Sequence, residues 1–205
     1  MDAVTSYETM LPIFLMDLPG VNNYLAKQAL YMAGRKFCLD TELYSKELDP
    51  VDIVADTQSY SLSALLPDNT KIISFGDVRY GSSATTETTA PYLTDNYNLY
   101  EETYFKFVTA PTTSITDGLV CNVMLRPTVG STGLESWFFD RYYEAINAYG
   151  KFYLLRMDSK KPWTDPNRAK DYESEYRDYL NRYRREKLTQ YKNGLIHVEH
   201  VPERF

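Results

Sequence analysis

Residues 137–146, WFFDRYYEAI, decide the fold of this chain, because they begin a segment with helical periodicity and an unusually wide apolar surface. The pattern predicts a helix over residues 135–157. Its main stripe has residues three or four positions apart: Phe138, Tyr142, Ala145, Tyr149, Phe152 and Leu155. A second stripe lies beside the first: Phe139, Tyr143, Ile146 and Tyr153. So wide an apolar arc indicates a helix that is buried on two sides.

A second helix is expected after a break at residues 158–163. Thr164 or Asp165 can cap its start, and Pro166 stands in the first turn, where the missing amide proton costs nothing. The helix is predicted to run to about residue 191 and to end at residues 193–194, Asn-Gly. It carries four tyrosines at spacings of four, three and four: Tyr172, Tyr176, Tyr179 and Tyr183. This ladder of rings can face either the subunit's own helices or another subunit.

The rest of the chain is predicted to hold one more helix and a β-rich middle. Helical spacing over residues 22–40, with Asn22 or Asn23 as the cap, indicates one buried face: Val21, Leu25, Ala29, Met32, Ala33 and Phe37. Strands are predicted at residues 71–80, 104–108 and 119–126. The last two strands are expected to form a long-looped hairpin, since Asp117-Gly118 is a turn signal between them.

The predicted fold class is therefore α+β: a helical bundle of the N-terminal helix and two C-terminal helices, an inserted antiparallel β-rich domain and an extended C-terminal arm. The two parts of the bundle are expected at residues 1–48 and 135–192. The β-rich domain is expected at residues 49–134, and the arm at residues 193–205.

Composition limits the possible functions. The 205 residues carry a net charge of −6 and have a pI of about 5.0, which argues against a basic face that grips nucleic acid. Nineteen tyrosines suit either a tyrosine-rich core or surfaces that are buried on assembly. Cys38 and Cys121 lie in apolar runs and are expected to be buried, reduced thiols. No run approaches the roughly 18 apolar residues that span a bilayer, so no membrane partner is expected.

The catalytic and metal-binding patterns are weak. His197 and His200 are the only histidines, and they lie in a segment without helical periodicity and without a third ligand nearby. Paired acids such as Glu101 and Glu102 are typical of solvated faces, and no glycine-rich phosphate loop occurs. We therefore expect no enzyme activity, no catalytic or metal site and no cofactor.

The segment after Gly194 alternates apolar and polar residues like a strand and has five apolar residues: Leu195, Ile196, Val198, Val201 and Phe205. Terminal residues are commonly disordered and without a role. The apolar content favours docking on a partner instead, either as a strand added to a sheet edge or in a groove between partner subunits.

Several motifs, in this order, resemble the head-to-tail adaptor (connector) proteins of tailed bacteriophages. The resemblance covers roughly residues 11–190, and the stretches at residues 137–146 and 161–163 contribute most to it. The motifs are RKFC at residues 35–38, LDPVDI at 48–53, DGLVCNVMLRP at 117–127, WFFDRYYEAI at 137–146 and KPWTDP at 161–166.

This resemblance implies a structural virion protein that forms a ring, commonly a dodecamer, beneath the portal protein. The ring would link the capsid vertex to a tail or nozzle protein, and DNA would pass through its lumen without specific binding. The protein would be assembled in the host cytoplasm and located in the neck or tail of the virion. An alternative is a virion-associated enzyme such as a cell-wall hydrolase, and a third is a regulatory nucleic-acid binder.

The resemblance also implies roles for two sets of residues. The arm is expected to bind the portal through Leu195, Ile196, His197, Val198, His200, Val201 and Phe205. Neighbouring subunits in the ring are expected to meet at Phe138, Tyr142, Tyr149, Tyr172, Tyr176, Tyr179 and Tyr183.

Overall fold

The fold is described from a computed structural model. Its described residues are 4–82, 84–85, 92–93, 96–157 and 161–193, with side chains as far as residue 187. Over these residues the fold is α+β, as predicted, with helices and antiparallel sheets. The helices are α1 (Tyr7–Leu15), α2 (Asn23–Thr41), α3 (Ser136–Leu155) and α4 (Pro166–Asn193). The strands are β1 (Val4–Ser6), β2 (Ser45–Glu47), β3 (Val51–Ile53), β4 (Ser59–Ser61), β5 (Thr70–Tyr80), β6 (Tyr97–Tyr100), β7 (Tyr104–Phe107), β8 (Ile115–Pro127) and β9 (Gly133–Glu135).

The three predicted helices are confirmed, and local capping explains where two of them begin. The Asn22 side chain accepts a hydrogen bond from the Leu25 amide at the start of α2. Before α4, Asp165 Oδ1 accepts bonds from the amides of Asn167 and Arg168. Each cap satisfies amides that the first helical turn leaves without a partner.

Helix α1 was not predicted from the sequence. Pro12 lies inside it, and a proline there normally counts against a helix. Ser6 caps the helix by accepting a bond from the Glu8 amide, and the helix buries Tyr7, Leu11 and Phe14. Tertiary packing of these three residues therefore outweighs the unfavourable local signal.

Strand β8 is the centre of the main sheet. It pairs with β5 and with both β2 and β3, all antiparallel. The predicted hairpin between residues 104–108 and 119–126 is wrong, because β7 pairs with β4 and β6 in a separate three-stranded sheet.

A tight turn explains the different partner of β7. Residues 101–103 connect β6 to β7, and Glu101 and Glu102 have φ angles of 50° and 58°, the left-handed conformation that tight hairpin turns use. The Thr103 amide donates to the Tyr100 carbonyl across this turn at 3.3 Å. Glu-Glu is not a turn signal, so the sequence pattern did not reveal this hairpin. Phe105 and Phe107 of β7 then pack against the rings of Phe75 and Tyr80 on β5.

A single apolar cluster extends through the helices and the sheets. Strand β2 precedes the expected boundary at residue 49 and pairs with β8, so the division into domains stays a prediction. The two cysteines are buried free thiols, as predicted. Burial raises the pKa of both, to about 12 for Cys121.

We expect Gly133→Ala to destabilise the fold, because the new Cβ would overlap the carbonyl group of Thr5 in the partner strand β1. Overpacking against backbone costs about 1–3 kcal/mol, and each kcal/mol lowers the Tm of a chain of this size by about 2–4 °C. The matched control is Gly130→Ala, whose Cβ would meet the Asn69 amide oxygen, a movable side-chain atom, at 2.8 Å. Equal melting temperatures for the two variants would contradict the expectation.

Candidate partner-binding surfaces

The tyrosine ladder of α4 is bonded to the subunit's own elements. Tyr176 Oη donates to Asp40 Oδ2 on α2 at 2.9 Å. Tyr172 Oη donates to Asp17 Oδ2 after α1, and Tyr183 Oη donates to the Arg141 carbonyl on α3, each at 3.4 Å. The ladder thus holds α4 against α2, α3 and the segment that follows α1.

The seven residues expected at the subunit interface differ in how much surface they leave free. Phe138, Tyr142, Tyr176 and Tyr183 are at most 6% exposed in the single subunit. Tyr149, Tyr172 and Tyr179 are half-buried, so their open edges remain available to a neighbour. The assignment of all seven to an interface stays a prediction.

The electrostatic surroundings keep these phenols protonated. Burial, reinforced by Asp40, raises the pKa of Tyr176 far above its usual value. Burial and the carboxylates of Glu144 and Glu175 raise the pKa of Tyr179 to about 12. Both hydroxyls therefore remain hydrogen-bond donors over the physiological pH range.

The residues expected to bind the portal, Leu195, Ile196, His197, Val198, His200, Val201 and Phe205, lie outside the described residues. Helix α4 extends to Asn193, immediately before this segment. Their role stays a prediction.

Sequence reasoning missed a set of exposed apolar side chains on α1, at the residue that follows it and on α2, which we call the α1–α2 outer face. Its residues are 39–78% exposed: Ile13, Met16, Tyr24, Met32 and Leu39. Met32 was expected on the buried face of α2, and this was wrong, since its side chain is 39% exposed. Tyr24, Met32 and Leu39 are eight and seven residues apart, a spacing that places them along one side of a helix and could have revealed the stripe.

A shallow cleft of about 380 Å³ lies beside Trp137, where α3 begins next to the sheet. The indole Nε1 donates to Glu135 Oε2 at 2.8 Å, which holds the ring in place while 43% of Trp137 stays exposed. In the cleft, Lys187 pairs with Glu42 and Arg141 pairs with Glu186, and Asp77 also lines it, so that two carboxylates and two cations face the cleft. The balanced charges and exposed indole suit contact with a protein surface better than capture of an ion.

The described part of the chain contains no group of three or more His, Cys, Asp or Glu that could hold a metal ion. His197 and His200 fall outside it. No helix among the described residues is long and apolar enough to cross a membrane.

Comparison with known proteins adds a remote likeness to solved structures. No family model matches the chain, and no curated protein matches it. A chain of a solved structure described as "Neck of native GTA particle computed with C12 symmetry" is 17% identical, over 90% of this chain and 93% of that chain, with a TM-score of 0.29. At this identity and TM-score, the likeness assigns neither the fold nor the role of this chain.

We expect Tyr176→Phe to lower the free energy of unfolding by about 1 kcal/mol, because it removes a donor from the bond between α4 and Asp40. Tyr24→Phe is the matched control, since the Tyr24 side chain is 70% exposed and its hydroxyl faces water. Urea unfolding of both variants measures the difference. Equal losses of stability would show that the buried bond does not stabilise the bundle.

Proposed function

We propose that this chain is a structural protein of the virion neck: a head-to-tail adaptor that forms a ring beneath the portal and gives passage to the genome. The α1–α2 outer face carries the proposal, because it exposes five large apolar side chains on two packed helices. Exposed apolar patches of this kind are typical of surfaces that become buried on assembly. The order of sequence motifs that resembles the adaptor proteins supports the same role.

The occupant proposed for this face is a neighbouring copy of the chain. Arg35 lies between Met32 and Leu39 on the same side of α2, so charged and apolar groups form one continuous surface. A ring buries two different flanks of every subunit, and such a heterologous contact needs one flank with accessible apolar groups.

Three described carboxyl groups are poorly suited to act as the general acid of a paired-acid hydrolase. A general acid requires a raised pKa. Ion pairs instead hold the pKa of three carboxyl groups below their usual range: Glu8 beside Lys27, Asp17 beside Lys151 and Glu102 beside Arg126.

The finer parts of the proposal concern the neighbours of the ring. The segment 193–205 docks on the portal protein, a tail or nozzle protein binds on the opposite side, and DNA passes through the lumen without specific contacts. The net charge of −6 supports free passage, because few phosphate contacts would have to break as DNA moves.

We expect deletion of residues 195–205 to leave a folded subunit that no longer binds the portal protein. Pull-down with the portal and cryo-EM of the complex measure binding, and circular dichroism measures folding. The matched control replaces the same residues with a glycine-serine segment of equal length, which tests side-chain chemistry separately from length. Normal portal binding by both variants would remove the docking role of the segment.

We expect the double substitution Met16→Ser and Tyr24→Ser to weaken association between copies on the portal. The free energy of unfolding should change by less than about 0.5 kcal/mol per site, because the two side chains are 78% and 70% exposed. Native mass spectrometry of the portal complex counts the bound copies. Val108→Ser, at a side chain 53% exposed next to β7, is the control. Full rings with the double variant would exclude the α1–α2 outer face from the interface.

A further inference from the structure

Charge is unevenly distributed in this chain. Residues 47–125 contain eleven carboxylates but only three cations: Lys71, Arg79 and Lys106. The rest of the chain is therefore slightly basic, although the whole carries −6. This asymmetry gives the subunit oppositely charged regions.

The acidic region lies where β3 meets the beginning of β8, and we call it the acidic end. Its members are exposed aspartates: Asp49, Asp52, Asp56 and Asp117. Asp52 Oδ1 accepts a bond from the Asp117 amide at 2.8 Å, which holds the two segments together. The sequence contains no Lys or Arg at residues 47–70 or 107–125, so these carboxylates have no cation within their own segments.

The basic region is a cavity of about 300 Å³ lined by Arg35, Lys71 and Arg126, and we call it the basic cleft. Lys71 and Arg126 are directly paired residues of β5 and β8, and α2 supplies Arg35. Residues 128–130 complete the rim.

One carboxylate opposes these three cations inside the subunit. Glu102 accepts from Arg126 at 2.6 Å and lies 3.0 Å from the Lys71 ammonium, and these cations lower its pKa. Arg35 donates to the neutral Tyr31 hydroxyl at 3.4 Å. The cleft therefore retains net positive charge, and it has room for a further carboxylate. The Arg126 side chain is 11% exposed, so its guanidinium is held in place by packing.

The two regions cannot neutralise each other within one subunit. Asp117 and Arg126 lie nine residues apart on the same strand, which places them about 30 Å apart. Complementary charges at opposite ends of a rigid element match when copies associate head to tail, and such heterologous contacts generate rings where the rotation closes.

We propose that the basic cleft of one subunit binds the acidic end of a neighbouring copy. This inference rests on the ring proposed above and names the surfaces that would meet. A phosphate backbone is the competing occupant, but the net charge of −6 disfavours an extended contact of the whole subunit with nucleic acid. A copy of this chain brings an exposed group of four carboxylates, which fits a contact confined to the cleft.

Charge reversal tests the pairing. The first variant, Arg35→Glu with Lys71→Glu, reverses the charge of the basic cleft and leaves the packed Arg126 in place. The second variant, Asp49→Lys with Asp56→Lys, reverses the charge at two positions of the acidic end. Each pair is expected to weaken association between copies on the portal at least about tenfold, because like charges then face each other. All four substitutions in one chain restore opposite charges and are expected to recover association. Arg168→Glu with Lys170→Glu, on the exposed side of α4, reverses equal charge elsewhere as a control.

Sedimentation velocity and native mass spectrometry measure association, and circular dichroism confirms folding of each variant. The pairing would be wrong if neither charge-reversal variant weakened ring formation. It would also be wrong if both variants lost ring formation and the fourfold variant did not recover it. Either result would leave the adaptor role standing. Failure of wild-type protein to assemble on the portal would overturn both. Loss of DNA binding with intact association in the cleft variant would identify the cleft as a nucleic-acid site instead.

Discussion

One buried aromatic ring, that of Phe138, connects the helices to the main sheet. Phe138 has no exposed surface, and its ring centroid lies 4.8 Å from Tyr44 and 5.9 Å from Phe37 on α2. The Tyr44 carbonyl in turn accepts a bond from the Leu125 amide of β8 at 2.7 Å. A phenylalanine at such a site contributes about 3–5 kcal/mol, a large part of the 5–15 kcal/mol that stabilises a typical domain. The orientation of the helices relative to the sheet depends on this contact.

Ion pairs also join segments that are distant in the sequence. Lys151 on α3 is 5% exposed, contacts Asp17 Oδ2 at 2.5 Å and lies over the Tyr172 ring. Glu135, 4% exposed, receives Lys46 from β2 and the Trp137 indole. One member of each pair is buried, so loss of its partner would leave a charge without a counter-ion in the interior.

The tyrosines of α4 that are buried stabilise the subunit, and the apolar surface left for assembly lies elsewhere. The rings of Tyr176 and Tyr183 pack against the subunit's own helices, and their hydroxyls donate hydrogen bonds to those helices. Accessible apolar surface lies instead on α1 and α2, at residues such as Met16 and Tyr24. The adaptor proposal therefore depends on the outer surfaces of the bundle more than on its aromatic core.

The sequence by itself determined the three longer helices and a strand at residues 71–80, because each depends on neighbours a few residues away. It reduced the candidate caps to Asn22 or Asn23 and to Thr164 or Asp165, and the structure selects Asn22 and Asp165. The sequence also indicated that α3 is buried on two sides. Only the tertiary structure decided the partner of β7, the existence of α1 despite Pro12 and the meeting of Arg35 with Lys71 and Arg126. These features depend on contacts between residues far apart in the chain, and no local periodicity records such contacts.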